Sequence, residues 1–285
     1  LFKSDRVLIG GESTNSAKKA VEALIDIYSN WIPREKILTT NVWSSELAKL
    51  ASNAMLSQRI SSINSLSALS EKTGANIDEL SKAIGMDHRI GPHFLKVSLG
   101  FGGSCFQKDI LNLVYLCKYY GLDEVAEYWH QVIKINDYQK NRFAQKIIDK
   151  LGDNLNEKKV GILGWAFKAN TNDSRESAAI YVAKTLLDAG INLKIYDPMV
   201  SKNRICSDLN WIYDKEIKTD NITFCLNLKD AIKNVNGIAI LTDWDEFIKF
   251  DWKYYINNSS SEKKIFDGRN IIEDQLKDYN QYYKL

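Results

Sequence analysis

Leu99-Gly100-Phe101-Gly102-Gly103-Ser104-Cys105-Phe106-Gln107-Lys108-Asp109 is the stretch around which the rest of the chain is arranged. Glycines at 100, 102 and 103 add no packing, so they signal backbone freedom: positive φ, or close approach of another group. A helix start follows. Ser104 suits an N-cap, and Gln107 completes the S-x-x-Q capping-box pattern. Ile110, Leu111, Leu113, Val114 and Leu116 then continue at helical spacing. Cys105 falls at the first helical position, where unpaired N–H groups and the helix dipole favour an anion. A thiol so placed ionises readily and makes a nucleophile. Lys108 and Asp109 lie near the same face of the first turn. A cysteine among apolar residues is most often a small buried side chain, and that reading stands for Cys117, Cys206 and Cys225. The glycine loop, the cap and the Lys/Asp pair set Cys105 apart.

Upstream, residues 86–103 lack periodicity, and a loop of that length is often functional. Before it, Ser44 suits a cap for a long helix running to about Lys72, with Glu46 in its first turn. Leu47, Leu50, Ala51, Ala54, Ile60, Ile63 and Leu66 mark its expected buried stripe, and Gly74 stops it. Lys49 and Asn53 share a face of this helix; by spacing alone they read as a solvated flank. Asn76 and Glu79 form a second capping box, for a helix ending at Gly85. Downstream, a helix from Cys105 ends at Gly121. Asp123 is expected to cap another that carries Val125, Trp129, Val132, Ile135, Phe143, Ile147 and Leu151. Residues 44–152 therefore read as a helical central domain. In front of it, residues 1–43 give a strand at 6–11, a helix at 16–29 and a strand at 36–40, one βαβ unit. The chain starts at Leu1 without methionine, in what reads as the interior of a domain whose earlier strands would precede it.

The polar segment 152–158 is the clearest boundary, and residues 153–285 change texture. Strands at 159–164, 193–197, 237–242 and 264–270 alternate with helical segments, the pattern of an open parallel sheet covered on both faces. Ligands of such sheets bind at the carboxyl ends of the strands; Lys168 and Arg269 fall at that edge. The fold class is α/β: a C-terminal Rossmann-like domain, an all-α central domain, and one preceding βαβ unit. A dinucleotide fingerprint G-x-G-x-x-G is missing, since Gly161 and Gly164 give only an echo of it.

Composition narrows the chemistry. The 285 residues, 45% of them hydrophobic, suffice for a full core and for more than one domain. A net charge of +2 with short charge blocks gives no case for a nucleic-acid or membrane surface. Four cysteines without a C-x-x-C pair, and histidine only at 88, 93 and 130, argue against a zinc site and a disulfide framework. Neither a signal peptide nor a long apolar run is present, which predicts a soluble, reducing compartment, the cytoplasm.

Four separated motifs then stand in one order: 45–53 with Lys49 and Asn53, 100–109 around Cys105, Phe167-Lys168 with Asp173-Ser-Arg175-Glu-Ser177, and Phe266-Asp-Gly-Arg269. Together they resemble the UDP-glucose/GDP-mannose dehydrogenase family, in its UDP-glucose 6-dehydrogenase branch, and the Phe-Gln-Lys-Asp form is similar to eukaryotic members. That family opens with a complete NAD-binding domain, of which this chain resembles only the last βαβ unit; so the fragment by itself is expected to be inactive. The resemblance implies a two-step oxidation of a sugar hydroxymethyl to a carboxylate with NAD, through a thiohemiacetal and a thioester on Cys105. It implies Lys49 and Asn53 as donors to the developing oxyanion, and Asp109 with Lys49 as holder of the hydrolytic water. It further implies Lys96, Val97, Ser98, Leu99, Gly100, Phe101 and Gly102 around UDP-glucose, with Lys168 and Arg269 from the last domain and Arg89 from a neighbouring subunit of a homo-oligomer. Cys105, Phe106, Gln107, Lys108 and Arg175 would touch the cofactor. GDP-mannose or a UDP-N-acetyl-hexosamine remain alternative substrates on this reading, and a nucleotide-sugar-binding assembly module an alternative role for the chain.

Overall fold

Val7–Gly10 (β1) and Ile37–Thr40 (β2) pair in parallel, joined by the crossover helix Asn15–Ser29 (α1), whose N-terminus is capped by the Thr14 hydroxyl. Ile9, Ile32 and Ile37 bury against one another and form a small core. The computed structural model describes every residue except Leu1, Lys3 and Ser260. It divides into two units, Leu1–Met55 and Leu56–Leu285.

The helix Val42–Thr73 (α2) begins before the expected Ser44. Asn41 makes the start instead, its side-chain oxygen accepting from the Ser44 N–H at 2.8 Å. Its expected apolar stripe holds at Ala54 and Ile63, which are buried, and at the half-buried Leu50 and Ile60, but fails at Leu47, Ala51 and Leu66. Leu47 and Leu66 are exposed, as are Met55 and Leu69, whereas Ala54, Ser57, Ser61, Asn64, Ser67 and Ser70 are buried. Serines can face inward because small side chains let helices approach closely and hydroxyls find backbone partners: Ser61 Oγ donates to the Val132 carbonyl at 2.7 Å. Ile77–Gly85 (α3) follows with the expected Asn76 cap, which accepts from the Asp78 and Glu79 N–H groups.

Phe106–Tyr119 (α4) packs along Asp123–Leu151 (α5). Leu122, not Asp123, is the N-cap of α5, and no side chain caps it. The inner face of α5 runs through Val132, Asn136, Gln139, Lys140, Phe143 and Ile147, all buried. Phe143, Ile147 and Leu151 continue into the core of the sheet. Complete burial of side chains of this size stabilises by about 1.5–3 kcal/mol each.

The remaining elements are Lys159–Leu163 (β3), Ala178–Asp188 (α6), Asn192–Tyr196 (β4), Lys202–Tyr213 (α7), Ile222–Phe224 (β5), Leu228–Ile232 (α8), Gly237–Ile240 (β6), Asp245–Lys249 (α9), Trp252–Asn257 (α10), Lys264–Asp267 (β7), Glu273–Leu276 (α11) and Tyr282–Lys284 (β8). Among the described residues, six strands form one sheet in the order β5-β4-β3-β6-β7-β8, and every pairing is parallel. The inner strands β3 and β6 are apolar and buried on both faces, as a parallel sheet covered by helices requires. Strand order reverses direction from β3 outward, to β4 on one side and β6 on the other, which opens a crevice at the carboxyl ends.

Candidate active site at the head of helix α4

The glycine loop is clamped on two sides. From the helical side, Asn136 on α5 holds both backbone polar groups of Phe101: its Oδ1 accepts from Phe101 N–H at 2.8 Å and its Nδ2 donates to Phe101 C=O at 3.1 Å. Gln139 donates to the Ser98 carbonyl at 3.0 Å, and Asn64 on α2 accepts from Ser98 N–H at 3.0 Å. From the sheet side, Gly103 N–H donates to the Arg175 carbonyl at 2.8 Å. A Cβ on Gly102 would stand 2.4 Å from the Glu176 carbonyl oxygen, so only glycine admits that approach. Gly103 has φ +84° and lies against the Phe167 ring. These contacts account for the glycines read at 102 and 103.

The turn into α4 differs from the expectation by one residue. Cys105 is itself the N-cap, with φ −103° and ψ −51°, and no side chain caps the helix. The Ser104–Gln107 capping box is therefore not formed. Ser104 Oγ lies 3.7 Å from Cys105 Sγ instead. Cys105 is exposed, Cys117 is buried, and Cys206 and Cys225 are half-buried. Burial pushes the Cys225 thiol up from its ordinary pKa.

Beside Cys105 opens a cleft of about 500 Å3, lined by Ser104, Gln107, Lys108, Arg175, Arg204 and Trp211 among others. Arg175 makes a fork with Asp173, at 2.9 and 2.7 Å. That hydrogen-bonded guanidinium holds the Asp173 carboxyl below the usual carboxylate range. Lys108 Nζ lies 3.7 Å from Asp109, whose side chain is buried. Two cations beside the first turn of a 14-residue helix fit an anionic group such as a pyrophosphate.

Val97, Leu99, Gly100 and Phe101 are buried, whereas Ser98 and Gly102 are half-buried and Lys96 is exposed. Phe106, behind Cys105, meets the Phe101 ring edge-on at 5.7 Å. At the sheet edge, Arg269 is half-buried and donates to the carbonyls of Leu241 at 2.8 Å and Phe167 at 3.1 Å. Burial lowers its pKa, against the pull of Asp243 and Asp267. Lys168 is exposed, its Nζ 5.4 Å from the centre of the Phe167 ring. Phe167 thus joins Gly103, Lys168 and Arg269 in one neighbourhood. Arg89 is exposed and forked onto Asp87. Lys49, exposed, and Asn53, half-buried, stand one turn apart on the first part of α2, in the unit Leu1–Met55.

Several participants escaped the sequence reading. Asp208, buried on α7, accepts from Trp165 Nε1 at 2.9 Å, from Ser174 Oγ at 2.5 Å and from Arg204 at 2.9 Å. It thereby fixes the segment 173–177 that clamps the loop. Asn136 and Gln139 were detectable: the 3.6-residue period from Val132 to Phe143 passes through them, so polar residues had to be buried there. Glu176, at φ +52°, carried no sequence signal.

Comparison with known proteins places the chain in a family. The family model for the central domain of UDP-glucose/GDP-mannose dehydrogenases matches residues 43–138, and the model for the UDP-binding domain of the same family matches residues 161–274. The chain is 51% identical to UDP-glucose 6-dehydrogenase 3 of Arabidopsis thaliana, over 98% of its own length and 60% of that protein. It is 52% identical to UDP-glucose 6-dehydrogenase of Pongo abelii, over 96% of its length and 56% of that protein. Among solved structures, a UDP-glucose dehydrogenase from Pyrobaculum islandicum superposes with a TM-score of 0.82 at 30% identity, covering 99% of this chain and 59% of the other. The chain spans about 60% of the length of the curated relatives it matches. With two domain models of one family matched in order along it, the chain belongs to the UDP-glucose/GDP-mannose dehydrogenase family.

Proposed function

We propose that the protein to which this chain belongs oxidises UDP-glucose to UDP-glucuronate with Cys105 as the nucleophile. The observation that carries the proposal is an exposed cysteine at the head of α4, on a loop clamped from both sides, beside a cleft bearing Lys108 and Arg175. The hydroxymethyl group becomes a carboxylate by loss of two hydrides, and NAD, held at Cys105–Lys108 and Arg175, supplies the acceptor when bound. The chain's own residues do the rest. Cys105 Sγ adds to the aldehyde formed first, giving a tetrahedral adduct whose oxygen is anionic. Lys49 and Asn53 donate hydrogen bonds to that oxygen, a role that rests on family likeness. Oxidation of the adduct leaves a thioester on Sγ; water, held by Asp109 and Lys49, adds to its carbonyl, and the thiolate departs from the carboxylic acid.

The loop 96–102 receives the nucleotide sugar, with Lys168 and Arg269 directed to the diphosphate, whose charge asks for converging cations. A homo-oligomer, with Arg89 reaching the neighbouring site, is the assembly this reading calls for, and the exposed Leu66, Leu69, Tyr115, Tyr119 and Tyr128 of the long helices are apolar side chains it could cover. Residues 1–43, 44–152 and 153–285 serve as the end of a cofactor domain, the central domain and the UDP-sugar domain. A nucleophilic thiolate works where thiols stay reduced, so we assign the enzyme to the cytoplasm. No described helix is long and apolar enough to cross a membrane. The test is Cys105→Ser in the full-length protein: overall oxidation is lost while calorimetric binding of UDP-glucose persists, and unchanged turnover overturns the assignment.

A further inference from the structure

Contacts that hold the Cys105 turn converge on a side chain that the reaction does not use. Tyr181 on α6 is half-buried, and its hydroxyl donates to Glu176 Oε2 at 2.5 Å. Lys140 of α5, fully buried and paired with Asp137 at 3.0 Å, sets its ammonium 3.7 Å from the centre of the same ring. One phenol thus joins α5, α6 and the segment 173–177. The Glu176 end matters most. At φ +52°, Glu176 holds a left-handed conformation that a residue with a Cβ keeps only when its surroundings impose it. Its carbonyl occupies the space beside Gly102, and the preceding carbonyl, of Arg175, takes the Gly103 N–H. Where the Glu176 carboxylate is held decides where both carbonyls stand, and so where the residues just before Cys105 stand.

We propose that Tyr181 is a positioning residue: its hydroxyl, by holding the Glu176 side chain, fixes the turn that presents Cys105. The proposal rests on the reading of Cys105 as the reactive thiol, and its test separates the two. Tyr181→Phe keeps the ring, the lysine beneath it and the packing, and removes only the hydroxyl. In the full chain, hydrogen exchange at the Gly103 amide should accelerate about tenfold, because the opening that frees its bond to Arg175 becomes easier. Alkylation of Cys105 by iodoacetamide, resolved from the other cysteines by peptide mass, should change by more than about threefold, while Cys206 keeps its rate. Glu176→Gln retains an acceptor for the phenol and should restore wild-type values; Glu176→Ala should reproduce Tyr181→Phe. Unchanged Gly103 exchange in Tyr181→Phe overturns the proposal. So does equal acceleration at Cys206, the mark of general loosening, or identical behaviour of the two Glu176 variants. Turnover surviving in Cys105→Ser would sink the nucleophile reading instead and leave the Gly103 exchange result standing.

Discussion

Replacing Asn136 by leucine tests how strongly the glycine loop is held. Asn136 is fully buried, and its amide serves both the N–H and the C=O of Phe101, also buried. Leucine has nearly the same size, so the substitution leaves little cavity and isolates the hydrogen bonds. Two buried backbone groups lose their partners, each at about 1–3 kcal/mol. Their summed cost is about 2–6 kcal/mol, a large share of the roughly 5–15 kcal/mol that holds a domain folded. Urea unfolding of Asn136→Leu should therefore show a midpoint well below wild type at an unchanged slope. Asn136→Asp, which keeps an acceptor for the Phe101 N–H but loses the donor to its carbonyl, should also destabilise. A loss under about 0.5 kcal/mol in Asn136→Leu would refute the clamp, because it would mean that water or a shifted loop satisfies Phe101 equally well.

Two further outcomes follow from the same clamp. Gly103→Ala imposes a left-handed φ on a residue with a Cβ, at about 1–2 kcal/mol, and sets that carbon 3.0–3.2 Å from Phe167 ring atoms. Thermal unfolding should register the loss, and adding Phe167→Leu should recover only the crowding part. The Asp173–Arg175 fork gives a pH dependence whose direction is fixed. Arg175 lowers the Asp173 pKa in the folded state, so the stabilisation is complete above the unfolded carboxylate value of about 3.9 and disappears as pH falls through the lower folded value. Protection of the Gly103 amide should hold near neutrality and weaken only in that acid range, and Asp173→Asn should abolish this acid step.

Much of the architecture was legible because it follows from pattern. Buried runs at Val160–Leu163 and Gly237–Ile240 could be little else than inner strands of a parallel sheet, and Asn76 capped its helix as its side chain dictates. Short α8 to α11 and the edge strands β5 and β8 carry too few residues for periodicity to stand out. The long helix α2 misled for a physical reason. A hydrophobicity pattern reports a preference for leaving water, yet its inner face mixes Ala54 and Ile63 with buried serines such as Ser61, whose hydroxyl bonds to backbone, while Leu47, Leu66 and Leu69 look outward. Of the candidate site, the loop, Cys105, Lys108 and Arg175 stood out in the sequence, and Lys108 and Arg175 line one cleft with Gly103 and Ser104. Their supports stood out less. Asp208 and Tyr181 act on the loop from far along the chain, and long-range partners leave no mark in local spacing.

Asp197, at the end of β4, bears on how such a molecule can be re-engineered. One carboxylate oxygen accepts from Trp165 N–H at 2.6 Å, Ala166 N–H at 3.0 Å and the Trp244 indole at 3.1 Å; the other accepts from Met199 and Val200 N–H at 2.8 and 2.9 Å. Three connections, after β3, β4 and β6, hang from this single group. None of them is a free module: a loop transplanted from a relative keeps its shape only if it brings a donor aimed at Asp197, and a misfit in one is inherited by its two neighbours.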